Sequence, residues 1–299
     1  VLQYALLDTG ICAGTRGLEE AEFSKATLDA KCLVGGALAF NPAHNFMRLP
    51  GTLASPWHWS WFLIASAAIV SASAWSEPSP LWKKISFLAM GLLGVATIFS
   101  GVQFALTLVP LLLILALLAT RAQWKQSPAS LIITSLILVV LIALIPALLS
   151  WDFMLEQLSW AMQNDPQLAW AEDQNLGFFG RGLGKATNAA RLFGRTQLVE
   201  TFYAKLLYEM GYLGILTFLG VVSSLCWVIF QIWRSLSHSP LQRYALCLWL
   251  FLLSVSYNNH WYPLEANPVN VYYWFWAGIA LKLPILDHQQ TAISRQPSA

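Results

Sequence analysis

Residues 85–120 read Ile85-Ser-Phe-Leu-Ala-Met-Gly-Leu-Leu-Gly-Val-Ala-Thr-Ile-Phe-Ser100-Gly101-Val-Gln103-Phe-Ala-Leu-Thr-Leu-Val-Pro-Leu-Leu-Leu-Ile-Leu-Ala-Leu-Leu-Ala-Thr120, an apolar run broken only at Ser100 and Gly101. One helix of that length would measure about 54 Å. The hydrocarbon core of a bilayer is only ~30 Å thick and is crossed by ~20 residues. The run therefore reads as two crossings joined by a tight Ser-Gly turn, and the chain as an all-α integral membrane protein.

The composition agrees. Charged residues make up 11% and hydrophobic residues 57% of the 299 residues, with mean hydropathy +0.56. A water-soluble chain carries ~25% charge. Disorder requires low hydrophobicity, so it is excluded as well. The net charge of +2 creates no basic field for nucleic acid. Fifteen Trp suit anchoring at two membrane–water interfaces. The chain opens on Val1 rather than Met, and it reads as the C-terminal piece of something longer.

Seven apolar stretches are expected to cross: 57–74, 85–99, 102–120, 131–149, 203–233, 243–257 and 269–284. The fourth is nearly pure Leu, Ile, Val and Ala. The sixth and seventh are short and flanked by Tyr and Trp, so that one could be re-entrant. The organisation expected is an extracytoplasmic segment 1–56, four crossings in 57–149, a long outer loop 150–202, three crossings in 203–284 and a polar cytoplasmic tail 285–299. The positive-inside rule sets the orientation. Lys83, Lys84, Arg121, Lys125, Arg234, Arg243, Lys282 and Arg295 fall on one side, with only Glu77 and Asp287 as acids. That side is the cytoplasm of a multi-pass inner-membrane protein. Cys12 and Cys32 lie on the other side, where a disulfide could form. Cys226 and Cys247 read as thiols within helices.

The loop 150–202 is unusual for its length. Residues 151–170 alternate at helical spacing, as expected of an amphipathic helix on the membrane surface or of a plain cap on the bundle. Next comes Gly177-Phe-Phe-Gly180-Arg181-Gly182-Leu-Gly184-Lys185-Ala-Thr187. Glycines let backbone N–H groups converge as an anion nest, and Arg181 and Lys185 could pair with phosphate. The stretch is neither a P-loop nor a dinucleotide fingerprint, and it reads equally as a flexible turn. Arg191 and Arg195 extend it: from Arg181 to Arg195 there are four cations and no acid. Such cations serve either a lipid headgroup or an anionic substrate. Glu200, Lys205 and Glu209 open the next helix, where ionisable groups are costly unless they face protein or a water-filled site. Arg48 precedes the first crossing. His260, in Asn258-Asn259-His260-Trp261-Tyr262, titrates near neutrality, although a loop His is commonly just solvated. No spacing of Cys or His suggests a metal.

In this order the pieces resemble the O-antigen polymerase and O-antigen ligase superfamily, membrane glycosyltransferases acting on lipid-linked sugars. Arg48-Leu-Pro-Gly51-Thr52 is similar to its Arg-x-x-Gly-Thr/Ser stretch. Ser100-Gly101-Val102-Gln103-Phe104-Ala105 is similar to its Ser-Gly-Ser-Arg-Gly-Ala outer turn. Gly180, Gly182 and Gly184 supply its Gly-x-Gly-x-Gly stretch. Glu209-Met-Gly211-Tyr-Leu-Gly214 matches its Glu-x-Gly-x-x-Gly helix entry. The resemblance covers about residues 48–233, and it extends to membrane proteins of cyanobacterial hormogonium-polysaccharide biosynthesis. It departs twice: Gln103 stands where an Arg is usual, and Glu200 where ligases carry a His.

The resemblance implies a polyprenyl-diphosphate-linked glycan donor, a glycan acceptor, no metal and no cofactor. Arg48, Gln103, Arg181, Lys185, Arg191 and Arg195, with Gly180, Gly182 and Gly184, would bind the donor. Glu200 or His260 would act as base. Membrane lipids and other polysaccharide assembly and export proteins are the further partners expected. A transporter or flippase of lipid-linked sugars is the alternative, although no internal repeat is visible. A non-catalytic membrane subunit of an export complex is another.

Overall fold

A computed structural model describes residues 2–11, 39–41, 46–49, 51, 53, 56–121, 170–172, 174, 176–186, 194, 196–197, 199, 201–258, 263–264 and 267–294. In chain order these form α1 (Leu2–Asp8), β1 (Ala39–Asn41), β2 (Phe46–Arg48), α2 (Pro56–Ser76), α3 (Pro80–Ser100), α4 (Gln103–Arg121), α5 (Phe202–Ser235), α6 (Ser239–Ser256) and α7 (Val269–Ser294). The all-helical expectation holds for the bundle. The short antiparallel pair β1–β2, with Ala39 opposite Arg48, is added in front of it.

The apolar run 85–120 breaks at the Ser-Gly pair. Gly101 adopts φ +65°, the left-handed conformation that closes a helix C-terminus, and its N–H returns to Ile98 O at 3.4 Å. Ser100 Oγ accepts the N–H of Val102 at 3.3 Å, which steadies the turn into α4. The fourth apolar stretch, 131–149, lies outside the described residues, as do 151–169, Cys12 and Cys32.

Among the described residues, α2, α3 and α5 are long and apolar enough to cross a membrane, and α4 holds a shorter apolar helix. α2 is the central helix, with 67% of its apolar window buried against 28% for α3 and 22% for α5. Its buried positions begin large, with Trp61, Leu63 and Ile64, and continue small, with Ala65, Ala67, Ala68, Ser71, Ala72 and Ala74. Lipid tails are as apolar as Leu, so apolar burial drives little association inside a bilayer. Close approach of backbones over small residues does, through van der Waals contact. α3, α4 and α6 all pack on this helix. Some hydroxyls within the bundle return to their own helix, as Ser71 Oγ does to Ala67 O and Thr97 Oγ1 to Leu93 O, and others pair between helices, as Ser73 and Ser86 do at 2.7 Å.

The last helix runs on to Ser294, past the boundary at 285 that hydropathy suggests, because helix geometry continues through Pro284. This extension carries a clasp. Asp287 accepts the N–H of Ser237 at 3.0 Å and of His238 at 2.9 Å, and meets His238 Nδ1 at 2.7 Å. These residues enter α6, so the carboxylate satisfies and electrostatically complements a helix N-terminus. Burial pushes the Asp287 carboxyl up, but the three hydrogen bonds and His238 outweigh it and hold it at about 2. The folded value lies below the ordinary one, so the clasp is complete above pH ~4 and is lost as pH falls toward ~2. In detergent, the stability advantage over Asp287→Asn is expected to be constant near neutrality and to shrink across that acid window. An advantage that persists unchanged at the acid end would contradict the assignment.

Candidate functional site

α5 is two helices meeting at Gly211. There the backbone takes φ +68° and ψ −165°, a region only glycine enters without strain. The ring of Phe202 lies 4.9 Å from that of Phe218. Along a straight helix those residues would be about 24 Å apart, so the chain doubles back at Gly211. The fifth apolar stretch, 203–233, is therefore not one straight helix, and its crossing is left to the part beyond Gly211. Residues 202–210 form a short arm folded against a long arm, 212–235, and only the long arm can span. At its far end the short arm joins the bundle: Tyr203 Oη donates to Ser256 O at 3.0 Å, and the hydroxyls of Ser256 and Tyr273 are 2.8 Å apart.

The break exposes backbone groups of α5, and the glycine-rich turn takes them up. Arg181 N–H donates to Tyr208 O at 2.8 Å and Gly182 N–H to Glu209 O at 2.9 Å, while Leu213 N–H donates to Phe178 O at 3.2 Å. The Glu209 carboxylate, 9% exposed, accepts the N–H of Ala186 at 2.9 Å. A small apolar cluster of Ala171, Leu176, Ala186, Val199, Ala204 and Leu207 closes the joint from beneath. Trp170 stacks on Tyr208 beside it, at 5.3 Å.

The Glu-x-Gly-x-x-Gly pattern is thus a docking device. Glu209 clasps the turn. Gly211 makes the reversal, and a Cβ there would enter the Phe178 carbonyl. Gly180 faces it, and its own Cβ would stand 2.6 Å from Gly211 N. A Cβ on Gly214 would overlap the Cβ of Met210. Of the amides expected to form an anion nest, four are placed. The amides of Arg181, Gly182 and Ala186 donate to α5, and that of Lys185 donates to Gly182 O at 3.4 Å. These four amides are therefore committed within the protein.

The Arg181 and Lys185 side chains are exposed. Arg181 donates one guanidinium N–H to Gln174 O at 3.1 Å, leaving four other N–H groups of a planar fork. Lys185 O accepts the N–H of Gln197 at 2.9 Å, and Lys185 Nζ lies near Gly194. Gly182 is exposed and Gly184 half-buried.

Two further pieces of the expected site meet elsewhere. Leu49, which follows Arg48 in β2, donates its N–H to Ser100 O at 2.9 Å. This brings the Arg48 strand to the Ser100-Gly101 turn, from which Gln103 opens α4. Gly51 seats against the indole of Trp59, and Gln3 Nε2 donates to its carbonyl at 2.6 Å. Arg191, Arg195, Glu200 and His260 lie outside the described residues. Lys205 and Glu209 are both buried, consistent with ionisable groups that face protein rather than lipid. Sequence reasoning missed Glu209 as a structural acceptor. Its one signal is a carboxylate two residues before a glycine in an otherwise apolar helix. Among the described residues no cluster of His, Cys, Asp or Glu could hold a metal.

Comparison of the chain with known family models, with curated proteins and with solved structures finds no match.

Proposed function

We propose that this chain is a membrane glycosyltransferase of the polysaccharide polymerase or ligase kind. It uses a glycan on a polyprenyl diphosphate at the outer face of the inner membrane. In this reading seven segments cross, with 150–202 outside and the C-terminus in the cytoplasm. The carrying observation is the pair of exposed cations, Arg181 and Lys185, on a turn fastened by its own amides to the break in α5. Fixed cations favour a transition state in which charge accumulates on a leaving group.

The acceptor hydroxyl oxygen attacks the anomeric carbon of the donor. The bond from that carbon to the diphosphate oxygen breaks, and the lipid diphosphate departs with the electron pair. The hydroxyl proton passes to Glu200 or His260. Arg48, Arg181, Lys185, Arg191 and Arg195 hold the diphosphate as its charge grows, and Gln103 adds neutral hydrogen bonds.

The purified chain in proteoliposomes, given lipid-linked glycan donor and acceptor and no partner protein, is expected to lengthen the glycan. Movement of intact donor across the bilayer without lengthening would replace this reading by a flippase. No turnover until an assembly partner is added would replace it by a subunit role.

A further inference from the structure

The glycine-rich turn shows an apolar side as well as its cations. Phe178, Phe179 and Leu183 are 57%, 74% and 76% exposed. The two Phe rings meet edge to face at 5.8 Å. Their backbone is not loose, since Phe178 O, Arg181 N–H and Gly182 N–H are all bonded to α5. A rigid apolar prong thus projects from a turn whose cations, Arg181 and Lys185, are exposed beside it.

What covers it follows from the long arm of α5. That arm shows an outward apolar stripe of Leu213, Leu216, Val221, Trp227 and Val228. From Leu213 to Arg234 it measures about 31 Å, close to the ~30 Å hydrocarbon thickness. A bilayer crossed by this arm would have Arg234 at one boundary and Gly211 at the other. The stripe is continuous with the prong through the bond from Leu213 N–H to Phe178 O. Aromatic rings at a hydrocarbon boundary, with cations alongside, match the acyl and phosphate layers of one leaflet.

We infer that Phe178, Phe179 and Leu183 insert into the acyl region of the leaflet at the Gly211 end of α5, with Arg181 and Lys185 at its phosphate layer. The prong fixes the height of the turn against the bilayer. A diphosphate anchored in that leaflet by its own lipid would arrive at the level of the two cations. This inference rests on the membrane reading alone and is independent of the glycosyltransferase one.

Spin-label depth measurement tests it. Full-length chain carrying Cys12→Ser and Cys32→Ser, with the buried Cys226 and Cys247 retained, receives a nitroxide at Phe179→Cys, Leu183→Cys, Val228→Cys or Glu172→Cys. It is placed in nanodiscs of phosphatidylethanolamine and phosphatidylglycerol. Val228 serves as the lipid-facing reference and Glu172, exposed beside the turn, as the aqueous one. The ratio of oxygen to water-soluble nickel-complex accessibility at 179 and 183 is expected to approach that at 228 and to exceed that at 172 severalfold. An aqueous ratio at both prong positions, with 228 reading as lipid, overturns the inference. So does low accessibility to both relaxants, which means protein covers the prong. Neither result bears on glycan transfer, which is scored separately by lengthening.

Discussion

Gly211→Ala is expected to free the 177–186 turn from α5. The glycine holds φ +68° and ψ −165°, and a Cβ would enter the carbonyl of Phe178. Gly180→Ala should act in the same way, because its Cβ would stand 2.7 Å from the Glu209 carbonyl oxygen. Neither neighbour can yield, since both are backbone groups already bonded across the joint. Strain and overlap together cost about 3 kcal/mol or more at each position. The readout is hydrogen exchange at the Arg181 and Gly182 amides, whose protection reports local opening of the joint. It should fall ~10²-fold, the equivalent of ~3 kcal/mol. Gly182→Ala has open space and only its positive φ to resist, so its effect should be near 1 kcal/mol. Gly220→Ala, on the helix with nothing nearby, should leave these amides unchanged. Glu209→Ala should expose the Ala186 amide at a cost of about 1–3 kcal/mol, and Glu209→Gln, which keeps an acceptor, less. Unaltered protection in Gly211→Ala would show that the turn is held by something other than this joint.

Removing the turn's cations is expected to have the largest effect on transfer. If Arg181 and Lys185 stabilise the departing diphosphate, Arg181→Ala and Lys185→Ala should each slow lengthening roughly 10²-fold or more at saturating donor. Arg191→Ala and Arg195→Ala should act alike. The loss belongs in kcat, because charge on the leaving group peaks in the transition state. Arg181→Lys should recover only part of the rate, since an ammonium cannot replace a planar fork on two oxygens. Protection of the Gly182 amide separates chemistry from folding: it should be kept in all these variants and lost in Gly211→Ala. Normal polymer length and yield from cells carrying the alanine variants would sink the diphosphate assignment.

The sequence was most legible where one physical cause dominated. The Ser100-Gly101 break could be placed to the residue, because bilayer thickness forbids a continuous helix and glycine is the cheapest stop. The break at Gly211 could not. It lies inside a run apolar enough to pass for one crossing, and hydropathy sums side chains without sensing a reversal of backbone. The glycine-rich turn was recognised as special for a different reason than its structure displays. Its amides look available for an anion, yet two of them, Arg181 and Gly182, donate to carbonyls freed by the break in α5. Asp287 likewise read as a minor tail charge until the fold carried residues 237 and 238 to it.

By itself, then, the sequence determined the solvent: too few charges to face water, apolar runs at crossing length, and turn residues between them. It also singled out the cations of the glycine-rich turn, because so scarce a feature stands out in so apolar a chain. Only the tertiary structure decided which backbone groups those glycines serve. That outcome depends on unpaired N–H and C=O groups meeting across about thirty residues of chain, and side-chain spacing carries no record of where a distant hydrogen bond will close.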